Sequence, residues 1–139
     1  MCKIKEILRR KGPHFNIVTP DTKVNDALVI MQTENLSYVV VMNDTEFLGI
    51  MSERDYIHKM KVLKTKSENA TVKEILTNNL PVASFDDDLN RCMVLMNVYK
   101  TRYLPVFDEM EFRGVITMND LLQEVLDEQT KNGQERIIE

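Results

Sequence analysis

An α+β fold built from two tandem units, each a small sheet flanked by helices, is predicted by three observations. The first is a repeat: "GIMSERD" at residues 49–55 returns as "GVITMND" at residues 114–120. A shift of sixty-five residues aligns residues 18–57 with residues 83–122 without a gap, ten of the forty positions being identical, which marks a duplication. The second is that in each copy the hydrophobic period changes from helical to strand-like and back to helical. The third is size: 139 residues leave about sixty per copy, too few to bury much surface alone, so the copies are expected to share one core.

The elements follow in order. "IKEIL" at residues 4–8 and "VKEIL" at residues 72–76 read as matching short helices that open each copy. A short extended segment and a turn rich in Asp and Thr come next. Then "TPDTKVNDALVIMQTEN" sets Val24, Ala27, Leu28 and Met31 on one helix face, and "FDDDLNRCMVLMNVYKT" does the same with Leu89, Cys92, Met93 and Met96. "SYVVVMND" and "RYLPVFDE" are runs of β-branched and aromatic residues ending in turn formers, hence buried strands. "EFLGIMS" and "EFRGVIT" supply a second strand, and a helix starts at the hydroxyl residue that ends it. The polar stretch at residues 64–71 is the expected linker, and "TKNGQERIIE" reads as a frayed or weakly helical tail. The expected division is residues 1–66, residues 67–128 and a tail over residues 129–139.

A net charge of −4 and a pI near 5.3 argue against a general nucleic-acid or anionic-membrane surface. Cys2 and Cys92 hold unmatched repeat positions without a CxxC or Cys/His cluster, so neither a disulfide framework nor a zinc site is expected. No apolar run has signal-peptide or membrane-span length, and a cytoplasmic location is expected. His14 and His58 show no metal spacing and read as surface or turn residues, and the nine methionines read as helix-face packing. The acidic run at residues 86–88 reads as charge at a helix start, since it lacks the glycine and distal Glu of a calcium loop. Without a Ser/His/Asp, Cys/His or metal constellation, catalysis is not expected.

The repeated turn suits a nucleotide on chemical grounds. A Ser or Thr at a helix start stands among unpaired N–H groups and partial positive charge that favour phosphate. A carboxylate three residues on can accept from both hydroxyls of a ribose, and the aliphatics of the preceding strand offer a wall to a base. The same Ser52-x-x-Asp55 and Thr117-x-x-Asp120 spacing also describes a capping box, a purely structural device.

Two units of this length and order, with Gly-aliphatic-aliphatic-Ser/Thr-x-x-Asp closing the second strand and "RYLPV" entering the first, resemble a tandem pair of CBS domains, a Bateman module. The resemblance runs from about Ile4 to about Leu126 and is to a stand-alone pair. It implies two units about a pseudo-twofold axis, a homodimer, and a regulatory role in which AMP, ADP, ATP or another adenosyl ligand is sensed in two clefts and a partner protein is modulated. S-adenosylmethionine, NAD and cyclic dinucleotides stay open as ligands.

Carried over by position, the first cleft combines Ile50, Ser52, Arg54 and Asp55 with Leu80, Pro81, Val82, Thr101 and Arg102. There Asp55 holds ribose, Ser52 and the two arginines face phosphate, and Ile50 with Val82 borders adenine. The second combines Asn16, Ile17, Val18, Leu36 and Ser37 with Val115, Thr117, Asn119 and Asp120, where Asp120 holds ribose and Thr117 phosphate. Two guanidiniums make the first cleft the expected site of the more highly charged nucleotide, or the only occupied one. The alternatives are a ligand-independent dimerisation or docking module for an enzyme or transporter, and a nucleotide hydrolase.

Overall fold

The computed structural model describes residues 2–12, 16–63 and 68–138, with side chains through residue 130. The duplication appears as one run of elements made twice. The first run is α1 (Ile4–Lys11), β1 (Ile17–Val18), α2 (Val24–Glu34), β2 (Tyr38–Asn43), β3 (Glu46–Ser52) and α3 (Glu53–Lys59), which passes into a 3-10 turn over Met60–Val62. The second is α4 (Val72–Ile75), β4 (Ala83–Ser84), α5 (Leu89–Tyr99), β5 (Tyr103–Asp108), β6 (Glu111–Thr117) and α6 (Met118–Ile138). The fold is therefore α+β, with two three-stranded sheets ordered β1-β2-β3 and β4-β5-β6. In each, the first pair is parallel and the second an antiparallel hairpin.

The copies agree in detail. Val41 pairs with Gly49 and Val106 with Gly114, and each hairpin register then slips by a bulge. Left-handed backbone occurs at equivalent places: Asn35 and Lys100 end α2 and α5, and Asp44 and Glu109 turn the hairpins. Asn and Asp tolerate that conformation, whereas Lys100 and Glu109 each cost about 1 kcal/mol.

The chain forms two compact units that do not coincide with the two copies. One is continuous, Pro13–Asn79, and the other is composite, Met1–Gly12 with Leu80–Glu139. In the continuous unit, Val72 and Ile75 of α4 are buried among Val24, Ala27, Met31, Val39, Val41 and Met51. In the composite unit, Ile4, Ile7 and Leu8 of α1 are buried among Leu89, Cys92, Met96, Leu104, Val106 and Ile116. The opening helix of each copy thus completes the sheet-and-helix layer of the other. Each unit has its own cluster of buried side chains, with the third layer that a sixty-residue copy alone would lack.

The two seams are made alike. Val72 N–H donates to Thr22 O at 2.8 Å and Val24 N–H to Ala70 O at 2.8 Å; Ile4 N–H donates to Asp87 O at 3.1 Å and Leu89 N–H to Cys2 O at 3.2 Å. Lys73 pairs with Asp21 at 3.0 Å, and Lys5 with Asp86 at 3.3 Å. Most of the helix faces read from the sequence are buried. Leu28 is half-buried, however, and Met93 is exposed at the rim, its expected place in the core being filled by Leu95. The tail continues α6 to Ile138. Residues 64–67 of the expected linker and His14 lie outside the described residues.

Candidate functional site

Both Gly-to-Asp turns fold as strand end and helix start, β3 into α3 and β6 into α6. The hairpins place the preceding loop beside each turn: Tyr38 pairs with Ser52 and Tyr103 with Thr117, while Glu53 N–H donates to Ser37 O at 3.0 Å and Met118 N–H to Arg102 O at 2.8 Å. The structure therefore brings Leu36 and Ser37 to the Ser52–Asp55 turn, and Thr101 and Arg102 to the Thr117–Asp120 turn, within one unit in each case.

At the first turn the capping box is fully formed. Asp55 Oδ2 accepts from Ser52 N–H at 2.9 Å and from Ser52 Oγ at 3.1 Å, and Asp55 N–H returns a bond to Ser52 Oγ at 3.2 Å. The other carboxylate oxygen is also engaged. Asp55 Oδ1 accepts from Thr77 Oγ1 at 2.7 Å and pairs with Lys59 Nζ at 3.0 Å. Lys59 Nζ in turn donates to Thr77 Oγ1 at 2.8 Å and Leu76 O at 3.1 Å. Thr77 is held in place by backbone bonds in both directions with Ile50, at 3.0 and 2.8 Å. Gly49 is required by this approach, because a Cβ there would stand 2.6 Å from Thr77 O and 2.8 Å from Leu76 Cδ1. Ser52 and Asp55 are buried, each 7% exposed.

The second turn is capped more lightly. Asp120 Oδ2 accepts from Thr117 N–H at 2.9 Å, and Asp120 N–H donates to Thr117 Oγ1 at 3.1 Å. Lys11, at the end of α1, donates to Asp120 Oδ2 at 2.8 Å and to Val115 O at 2.9 Å. Among the described residues Asp120 Oδ1 accepts no hydrogen bond, and the aspartate is half-buried. Gly114 lies at φ 146°, outside the range that side-chain-bearing residues favour.

The remaining expected residues fall as follows. Arg54 and Arg102 are exposed and form no ion pair among the described residues. Thr101 Oγ1 is spent on its own loop, donating to Tyr103 O at 3.1 Å. Leu80, Pro81 and exposed Val82 lead into β4, and Asn119 is exposed on α6. Ile50 and Val115 are buried, and Val18 belongs to the core cluster while Ile17, one position away on the strand, is exposed. Asn16 is fully buried; its Nδ2 donates to Tyr38 O at 3.0 Å and its Oδ1 has no partner among the described residues. Leu36 and Ser37 also line an open depression of about 380 Å³ with Leu28, Gln32, Asn35 and Glu53.

Thr77, Lys59 and Lys11 are the residues that sequence reasoning did not assign. Lys59 alone carries a readable signal, its i,i+4 spacing from Asp55. The acidic run supplies charge at the start of α5, as read: Asp88 caps the helix by accepting from Arg91 N–H at 2.9 Å, and Asp87 accepts from Ser84 N–H at 2.8 Å. Among the described residues, no helix is long and apolar enough to cross a membrane.

The CBS domain family matches the chain twice, over residues 4–62 and 72–127. The mitochondrial CBS domain-containing protein CBSX3 of Arabidopsis thaliana is 28% identical over 134 residues, 90% of this chain. The chain spans 65% of CBSX3 and 21% of the inosine-5'-monophosphate dehydrogenase of Methanocaldococcus jannaschii, to which it is 31% identical over 108 residues. A crystal structure of a CBS domain superposes with a TM-score of 0.84 at 29% identity, covering 91% of this chain and 99% of that one. CBSX2 in complex with AMP superposes with a TM-score of 0.73 at 21% identity, covering 93% and 99%. With the duplicated turn, the paired three-stranded sheets and two family matches all in register, the chain belongs to the CBS domain family, as a tandem pair.

Proposed function

We propose that the chain is a regulatory module that binds AMP or a related adenosyl ligand, ADP and ATP included, and modulates a partner protein without turning substrate over. The observation that carries this is the Thr117–Asp120 turn at the start of α6, where a helix N-terminus, a hydroxyl and a carboxylate with one unengaged oxygen stand together. In the proposal Asp120 receives the ribose hydroxyls and Thr117 with Asn119 lies toward phosphate. The Arg54 guanidinium, unpaired among the described residues, is the proposed phosphate contact beside Asp55. CBSX2, a neighbour in fold, holds AMP, which supports the ligand class.

A second reading is favoured by the three hydrogen bonds and the ion pair already on the Asp55 carboxylate: that turn is a structural cap, and the pair serves as a dimerisation or docking surface. Exposed apolar side chains at equivalent helix positions, Val29 with Val94 and Ile57 with Leu122, support a homodimer under either reading. A cytoplasmic location remains part of the proposal, beside a relative named as mitochondrial.

The test is a thermal-shift panel of AMP, ADP, ATP, S-adenosylmethionine and NAD on wild type and Asp120→Ala. A ligand at a hundredfold excess over its Kd adds about 2.7 kcal/mol to the native state. A shift with one adenosyl ligand that vanishes in Asp120→Ala supports the module; a folded protein that none of them shifts returns both turns to helix caps. Release of free phosphate from ATP would favour the hydrolase instead.

A further inference from the structure

Resting on the nucleotide reading above, we infer that Thr77 and Lys59 are an internal ligand of Asp55 that holds its turn closed, so that each chain takes one nucleotide, through Asp120. A carboxylate offers about four acceptor positions. At Asp55 three are taken by hydrogen bonds from Ser52 N–H, Ser52 Oγ and Thr77 Oγ1 at 2.7 to 3.1 Å, and the Lys59 ammonium stands as an ion pair 3.0 Å from Oδ1. A diol arriving there must first displace Thr77 or Lys59. Neither moves freely. Thr77 is tied to Ile50 through both backbone groups, and Lys59 is tied to Leu76 O and Thr77 Oγ1 as well as to the carboxylate.

Asp120 lacks this closure for a reason visible in the elements. Where α4 ends after Ile75 and Thr77 comes alongside Ile50, α1 continues to Lys11, whose ammonium reaches Val115 O and only the cap-side oxygen of Asp120. The Asp120 oxygen that would meet a diol is left open among the described residues, and the Lys11 cation stays beside it. The pattern of donors, more than the count of nearby arginines, then decides which turn accepts ligand. This reverses the expectation that the arginine-bearing group is the favoured one.

The experiment is a calorimetric titration of AMP into the full chain, as wild type, Asp120→Asn, Lys59→Met and the double variant Thr77→Val/Lys59→Met, each checked for folding by circular dichroism. The expected result is one AMP per chain in wild type, at least a tenfold weaker Kd in Asp120→Asn, and two AMP per chain in the double variant. Lys59→Met alone, which keeps the aliphatic stem, is expected to reveal the second, weaker uptake even if the double variant does not fold. Two AMP per chain in wild type overturns the inference and leaves the nucleotide reading standing. One AMP per chain in every folded opening variant also overturns it. No uptake by any variant removes the nucleotide reading itself, and the inference with it.

Discussion

Asp55 and Asp120 stand at the same point of the same seven-residue turn, and the protein uses them differently. Asp55 is buried and gives both oxygens to the protein, while Asp120 is half-buried and keeps one back. The cause lies outside the turn, in how far the exchanged helix runs before the chain leaves it. α1 has eight residues and delivers Lys11, whereas α4 has four and delivers Thr77. A duplicated motif is therefore not yet a duplicated site; its neighbours decide whether the chemistry is offered or already spent.

The comparison can be broken or sharpened by measurement. The largest expected effect is on stability: Asp55→Ala removes the common acceptor of Ser52, Thr77 and Lys59 and costs about 3 kcal/mol in urea unfolding. Asp120→Ala, losing a cap at a half-exposed position, costs about 1 kcal/mol. Equal losses would erase the distinction. Gly49→Ala follows at about 2 kcal/mol, because the new methyl meets the Thr77 carbonyl, which the strand pairing holds in place. Lys11→Met is expected to lie near 0.5 kcal/mol by the same assay, since the Lys11–Asp120 pair is partly solvated on both sides.

A further comparison separates the units by pH. Cys92 is the repeat partner of Ala27, and burial, with Asp87 and Asp88 nearby, pushes its thiol from 9.0 to about 12. The unfolded chain loses that proton first, so the stabilisation is fully present below pH 9 and fades as pH rises toward 12. Urea midpoints at pH 8 and pH 10.5 are expected to differ more in wild type than in Cys92→Ala. The same difference in both would show that Cys92 takes no part.

Much of this was legible in the sequence. Element order, the hairpins and the capping geometry of both turns follow from local periods and short spacings, because those interactions close within a few residues. The helix exchange is not legible that way. Self-alignment tells that "IKEIL" and "VKEIL" are equivalent, yet it cannot tell which sheet each one covers. Thr77 was equally hidden: it lies after the helix, outside the aligned repeat, and reaches Asp55 only through a backbone pairing with Ile50 that no periodicity announces. Met93 was misplaced because a helical stripe gives a face without its edges, and Leu95 took the inner position.

The helix exchange also sets an order of completion during synthesis. All that the continuous unit needs has been synthesised once Asn79 is added, whereas α1, made before it, waits for the residues from Leu80 onward. An eight-residue helix is marginal in water on its own, so α1, made ahead of the continuous unit, finds its structure after it. Cutting the gene between its two written copies would yield no folded half: one fragment would lack α4, and the other would lack α1.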